Sequence, residues 1–450
     1  MNHLVASGQV RSVHDTIERQ IHDLVRARAR RAILPDQALQ EGRDALLGGQ
    51  DPAAYGRWVF YPWSGRLVHL LPPPEFAELR LDRNRHKITA AEQARLARFH
   101  VGVVGLAGGS AAACTLALEG GFGHLKLADY DALSLSALNR VRAGVHDLGT
   151  SKAVLAARQV YEADPYASVE LFPDGVDAAS LDAFLAGLHA VVDACDDLHI
   201  KLLLRERARE RRIAVLSETG ERGTLDVERF DLEPARPVFH GRLLGLRADD
   251  VRRLDEEERA GLLLAVVGAD TVSMRAAASL VELRRTVSAW PRLGSDAALA
   301  GATLTVALRR LALGEPLPRG RRQVDAAALL AGPEPARAPS GTVPFPAPTL
   351  AGVDGRIPEL VRFCVEHGML APSAGNRQPW GFNWDGERLW VLLDRARAAS
   401  VVDPHHRAAH LAVGAALENV AVAAAHRGWR AKAEPFPRPR DPSVVAAVTF

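Results

Sequence analysis

The sequence predicts an α/β protein built on a doubly wound, mostly parallel sheet, followed by a smaller α+β module. Three observations carry that expectation. Residues 101–131 read strand, glycine turn, helix, strand, acid. The alternation then continues, with apolar runs at 168–172, 190–193 and 213–216 separated by helical stretches. A proline-rich segment at 332–348 interrupts the pattern before a second strand-and-helix region. Short apolar runs of this kind have the length of strands buried on both faces. Their alternation with helices favours a parallel sheet, whose ligands sit beyond the carboxyl ends of the strands.

The opening unit is the most informative stretch. Val101 to Leu106 is apolar, and Gly105, Gly108 and Gly109 cluster at the turn. Ala111 to Glu119 is helical, Leu125 to Ala128 is a strand, and Asp129 ends it. Glycines let a backbone approach phosphates, and a helix N-terminus favours their charge. An acid about 20 residues further on can accept bonds from a ribose. The unit therefore predicts nucleotide binding.

Length and composition bound the rest. A chain of 450 residues suggests about three domains. Segments 1–78 (helix and aromatic hairpin), 79–331 (nucleotide unit), 332–355 (linker) and 356–450 follow from the breaks in pattern. Net charge is +2, from 56 basic and 54 acidic side chains, so nothing points to nucleic acid or a membrane surface as partner. Cys114, Cys195 and Cys364 form no CxxC pair, which argues against a disulfide framework or cysteine zinc site and fits a cytoplasmic protein. No signal peptide and no run of 18 apolar residues is expected.

In order, Ser12 is expected to cap a helix carrying Val13, Ile17, Ile21, Leu24 and Val25. Residues 55–71 predict two strands around a turn at 62–65. Thr89 and Glu92 have capping-box spacing. Helices are expected near 150–162, 178–188, 198–211, 254–283 and 295–313. Residues 218–236, rich in glycine and charge, are expected to cross out of the sheet. Six prolines in GPEPARAPSGTVPFPAP predict a stiff linker. Beyond it, helices are expected at 358–370 and 408–428, with a hairpin turning at Asp385–Gly386 and a strand at 444–450.

Asp131, Asn139, Arg140, Arg142, Lys152 and Asp196 follow the glycine turn. So many cations suit a triphosphate better than a dinucleotide. Bringing a carboxylate to a phosphate at about 4 Å costs roughly 4 kcal/mol of repulsion in a partly solvated site. Arg and Lys side chains with Mg²⁺ offset it. Asp196 is the natural Mg²⁺ anchor.

These residues carry a resemblance. GLAGGS at 105–110, the segment running to Asn139 and Arg140, GTSK at 149–152 and VVDACDD at 191–197 resemble, in order and spacing, the adenylating domain of the ThiF-type, ubiquitin-activating-like superfamily. The resemblance implies a Rossmann-like sheet and a homodimer that uses ATP and Mg²⁺ to adenylate a carboxylate, usually a protein C-terminus ending in Gly-Gly. It implies that Gly105, Gly108, Gly109 and Ser110 form the phosphate cradle and that Asp129, with Asp131 beside it, holds the ribose. Asn139, Arg140 and Lys152 would hold phosphates, and Asp196 would serve the metal and the α-phosphate. Arg85, in LDRNRHKI, resembles an arginine that reaches the triphosphate, often from the other subunit. Ala107 replaces a family glycine, and Asp197 stands where Asn is usual. No cysteine lies between Phe230 and Arg319, so no enzyme thioester is expected.

APSAGNRQPW at 371–380 resembles the early flavin-contact segment of the nitroreductase family. The resemblance implies that Ser373, Asn376 and Gln378 lie near FMN, in a nitroreductase-like module expected to be incomplete. Two other functions stay open: an FMN-dependent reductase with a scaffold first domain, and a nucleotide-binding interaction module without catalysis.

Overall fold

Alternating and periodic apolar residues build three sheets in a computed structural model that describes residues 8–31, 33–254, 256–268, 272–282, 286–287, 290–331, 350–352, 357–399, 403, 405–439 and 441–450. The chain divides into two compact units, Met1–Arg252 with Arg292–Val324, and Arg253–Pro291 with Asp325–Phe450.

The first unit opens with a small sheet. Strands β1 (Ser12–Asp15), β2 (Arg57–Tyr61) and β3 (Arg66–Leu70) lie in the order β1-β3-β2. The aromatic hairpin is its β2–β3 pair. Ser12 is not a helix cap: it begins β1, which pairs in parallel with β3. The helix starts later, at Ile17, where the Asp15 carboxylate accepts the Ile17 N–H at 3.2 Å. Ile17, Ile21 and Leu24 bury its apolar stripe against Leu47 and Leu71.

Thr89 and Glu92 do form a reciprocal cap. Thr89 Oγ1 accepts the Glu92 N–H at 3.3 Å, and Glu92 Oε2 accepts the Thr89 N–H at 2.7 Å. This starts the helix Ala90–Leu96, which leads into the large sheet. Thr89→Ala should lower stability by about 1 kcal/mol in chemical denaturation, since the Glu92 N–H loses its acceptor.

The large sheet contains β4 (His100–Val104), β5 (His124–Ala128), β6 (Val169–Phe172), β7 (Ala190–Asp193), β8 (Ala214–Glu218), β9 (Thr224–Glu228) and β10 (Gly320–Gln323), ordered β10-β9-β8-β7-β4-β5-β6. Strands β4 to β8 run parallel. Residues 218–236 do not all leave the sheet. After a turn with Gly220 and Gly223 at positive φ, β9 returns antiparallel to β8, and β10 pairs antiparallel with β9. The acids that suggested an exposed crossover, Asp226 and Glu228, are buried with cationic partners. This is the Rossmann-like, mostly parallel arrangement. Its switch point lies between β4 and β7, whose helices leave in opposite senses and open a crevice at the carboxyl edge.

Two helices fix that edge. Leu106–Glu119 follows β4, and Gly294–Leu313 packs on it. A Cβ at Gly301 would sit 2.8 Å from the Ala111 backbone, so the helices touch main chain to main chain. Val101, Val103, Leu125, Leu127, Val192 and Leu216 fill the core beneath.

In the second unit the stretch read as one helix over 254–283 is two, Glu256–Val267 and Met274–Glu282, with 269–271 outside the described residues. Of the expected linker 332–355, residues 332–349 and 353–355 also lie outside them. Its Leu350–Gly352 forms strand β11, parallel to β12 (Trp380–Trp384). With β13 (Leu389–Leu393), β14 (Lys432–Pro435) and β15 (Val444–Thr449) the order is β11-β12-β13-β15-β14. The β12–β13 hairpin turns at Asp385–Gly386, where Asp385 Oδ1 accepts the Glu387 and Arg388 N–H groups. Among the described residues Arg407–His426 is long and apolar enough to cross a membrane. Within this unit its Val413, Ala416, Val420 and Ala424 are buried in the core with Trp380 and Phe382.

Candidate functional site

The glycine turn shows why each position is small. Gly105 has φ +86°, and a Cβ there would lie 2.5 Å from the Ala194 carbonyl, so the exits of β4 and β7 cross in contact. A Cβ at Gly109 would strike the Val103 side chain at 2.5 Å, which sets close helix–strand packing. Gly108 differs: a Cβ there would meet Arg292 Nη1 at 3.2 Å, on the side of the crevice. Ser110 is buried at the start of the second turn of the helix. This division of labour, one glycine for the turn, one facing a ligand and one for packing, matches a phosphate cradle at a helix N-terminus.

Asp129 ties the turn together. Its carboxylate accepts the Leu106 N–H at 2.6 Å and the Asp131 N–H at 2.8 Å. Asp131 in turn accepts from Lys152 Nζ at 2.7 Å. Lys152 is buried and opens the helix Lys152–Ala163. One chain of bonds thus joins the N-termini of two helices. Each Asp129 oxygen keeps a second lone pair for a ribose hydroxyl.

Arg140 lines a narrow hollow on the carboxyl edge with Gly108, Ala194, Glu218, Gly220 and Arg292 among others, and Asp196 is joined to it through Arg292. Arg292 Nη2 donates to Asp196 Oδ1 at 3.2 Å, and the Asp196 side chain is 83% exposed at the mouth. Burial pulls the Arg140 guanidinium below its ordinary value, and the neighbouring Arg292 adds to this. Both guanidinium groups line this hollow. Asn139 positions the second: its Nδ2 donates to the Arg292 carbonyl at 2.7 Å. A second, more open hollow adjoins, with Ser110, Asn139, Arg140 and Arg142 on its wall.

Some expected residues are not brought here. Lys152 is held to Asp131 and lines neither hollow. Arg85 pairs with Asp82 at 3.0 Å, beside Asn84, which donates to the Glu119 carbonyl. It therefore sits at the far end of the 14-residue glycine helix, about 20 Å from the cradle. Cys195 is no nucleophile: its thiol donates to Asp193 at 3.1 Å, and burial pushes its pKa well up.

Sequence reasoning missed Arg292 and Glu218. Glu218 ends β8, the strand beside β7. The rule that singles out Asp196 at the end of β7 applies equally to β8 and finds it. Arg292, two residues ahead of the last helix, had no such signal. Glu218 Oε2 accepts the Gly220 N–H at 2.8 Å, while Oε1 is buried without a partner among the described residues. Burial pushes this carboxyl up to about 7, against the pull of the Gly220 amide and Arg292. A raised carboxyl stabilises the fold below its unfolded value and loses that contribution as pH rises through about 7. Glu218→Gln should remove the dependence. Its stability relative to the parent should therefore climb by about 2 to 3 kcal/mol between pH 4.5 and 8 in denaturant titrations.

In the second unit Ser373, Asn376 and Gln378 do come together, as a turn closed on itself. Ser373 Oγ accepts the Gln378 N–H at 2.9 Å, and Gln378 Nε2 faces Asn376 Oδ1 at 3.4 Å. Arg377 donates to the Ala399 carbonyl.

Residues 81–290 match the model of the ThiF family. The chain carries a ThiF family domain. An uncharacterized protein of Mycobacterium tuberculosis is 43% identical over 376 residues, 82% of this chain and 52% of that protein. The SAMP-activating enzyme E1 of Haloferax volcanii is 36% identical over 138 residues, 29% of this chain and 50% of that protein. A putative NAD(P)H nitroreductase of M. tuberculosis is 34% identical over 92 residues, 20% of this chain and 28% of that protein. The chain thus spans about half the length of the first two relatives and less of the third. The cradle, Asp129, Arg140 and Asp196 all belong to the ThiF domain, and Arg292 follows it directly.

Proposed function

We propose that the ThiF domain adenylates a carboxylate with ATP and passes the product on without an enzyme thioester. The observation that carries this reading is the placement of Arg292 and Arg140 beside Gly108 and Asp196 at the switch point. Family membership and the likeness to an activating enzyme support adenylation chemistry in general. The two cations and the helix N-terminus lower the repulsion between carboxylate and α-phosphate. In the step a carboxylate oxygen bonds to the α-phosphorus, and pyrophosphate leaves with the electron pair of the broken P–O bond. Asp129 shares its lone pairs with the ribose.

Asp196 would hold Mg²⁺. It is exposed, and among the described residues no three His, Cys, Asp or Glu gather to cage a metal. A lone carboxylate suits Mg²⁺ that is bound mainly through phosphates and water. When bound, the ion supplies charge neutralisation on the phosphate oxygens. Arg85 is too distant to serve its own cradle, and in a homodimer it would serve the partner's. The three free cysteines support a cytoplasmic setting.

Flavin chemistry is the second reading, because the Ser373–Gln378 turn uses Ser373 Oγ, Asn376 Oδ1 and Gln378 Nε2 in bonds within itself. Purified protein should be colourless and take up no added FMN, as absorbance at 450 nm would show; a yellow protein would favour the reductase reading. The main test is ATP–pyrophosphate exchange with a synthetic peptide ending in Gly-Gly and with a panel of small acids. Exchange is expected with at least one. ATP binding without exchange against any of them would instead establish a non-catalytic module.

A further inference from the structure

Glu218 stands in the crevice without a part in the adenylation step. The carboxylate stands at the end of β8, in the same hollow as Gly108, Arg140 and Arg292. Arg292 spans the space between: a Cβ at Gly108 would lie 3.2 Å from its Nη1, and one at Gly220 would lie 3.6 Å from its Nε. Glu218 and the cradle thus flank Arg292 in one hollow. Oε2 is fixed by the Gly220 amide, which orients the carboxyl plane. Among the described residues Oε1 is left without a partner, whereas the acids buried in the strands of this sheet (Asp193, Asp226 and Glu228) are each matched to cations. Buried acceptors are seldom left unbonded, and those that are call for a role.

We propose that Glu218 accepts a proton from an amine that captures the acyl-adenylate in this hollow, making the second step amide formation. The proposal rests on the adenylation reading. The amine nitrogen bonds to the acyl carbon, the bond from that carbon to the phosphate oxygen breaks, and AMP leaves with its electron pair. The proton shed by the nitrogen passes to Glu218 Oε1. An amine fits better than a hydroxyl. Its adduct carries an acidic N–H⁺ that a carboxylate poised near neutrality can take, whereas a hydroxyl must be deprotonated against a far larger gap. Burial pushes Glu218 up to about 7. The charged groups facing it are Arg292, which lowers it, and Asp296 and Glu221, which raise it, with Arg140 lining the same hollow. No cysteine intervenes between Phe230 and Arg319, so direct capture by an amine needs no carrier thiol.

The test uses the full chain, the Gly-Gly peptide as carboxylate and glycinamide as amine. Pyrophosphate exchange reads the first step, and glycinamide-dependent AMP release with peptide amide formation reads the second. In Glu218→Gln the ratio of the second rate to the first should fall by roughly 10²-fold or more. The parent's capture rate should begin to rise with pH near 7, whereas the variant should keep only the rise that glycinamide's own ionisation at about 8 imposes. An equal fall in both rates would make Glu218 a merely structural group and overturn the proposal. So would an unchanged ratio. No exchange in the parent with the peptide or with any acid of the panel would overturn the adenylation reading itself, a separate and distinguishable failure.

Discussion

An Arg205→Ala protein should lose about 3 to 5 kcal/mol of stability, the largest structural effect expected of any single change in the first unit. Arg205 is fully buried on the helix Leu198–Glu210. It donates to Asp193 at the end of β7 and to Glu228 on β9, and its guanidinium lies 3.8 Å from the Phe239 ring centroid. Lys201 completes the group at 3.1 Å from Asp193. Burial would raise the Asp193 carboxyl, but Lys201 and Arg205 outweigh it and hold it below the usual range. Deleting the guanidinium leaves two carboxylates in the sheet with one ammonium between them. Folded domains hold only about 5 to 15 kcal/mol in reserve, so the variant should unfold early in calorimetry. Arg207→Ala, on the exposed face of the same helix, is the control and should change stability by less than about 1 kcal/mol. Equal effects from the two would show that the buried group is not holding β7 to β9. Arg205→Lys should recover only part of the loss, because an ammonium cannot span both carboxylates as the planar fork does.

The second large effect is expected at the mouth of the crevice. Asp196→Ala should lower pyrophosphate exchange by roughly 10²- to 10³-fold, with little change in stability because the side chain is so exposed. Asp197 is the informative neighbour. Its Oδ1 accepts the Ile200 N–H at 2.9 Å and so caps the helix Leu198–Glu210. Asp197→Ala should cost about 1 kcal/mol in stability and leave exchange close to the parent's. Adjacent acids thus separate a cap from a reactant-facing group. A parent-like exchange rate in Asp196→Ala would remove its assigned role toward metal and phosphate.

The contrast between legible and hidden features follows from what a sequence encodes locally. Gly105, Gly109 and Asp129 were readable because each answers a backbone demand within one strand-turn-helix unit. The parallel strands were readable because their apolar runs are uninterrupted. β9 was not, since its alternating acids look like a solvated loop until Arg205, Arg321 and His240 are known to lie opposite. Arg292 was hidden for a related reason. It reaches the site only because Gly294–Leu313 packs on the glycine helix, a contact between segments almost 190 residues apart. Lys152 was placed among the phosphate ligands by its neighbours in sequence, yet the nearest carboxylate, Asp131, claims it.

The bonds from Leu106 through Asp129 and Asp131 to Lys152 have a kinetic corollary. They hold the turn in its ligand-ready shape by internal contacts alone, so a nucleotide arriving there finds little left to order. Entropy that would otherwise be lost on docking has already been lost on folding. Association should accordingly resemble a key entering a finished lock, with scarcely any backbone rearrangement around β4.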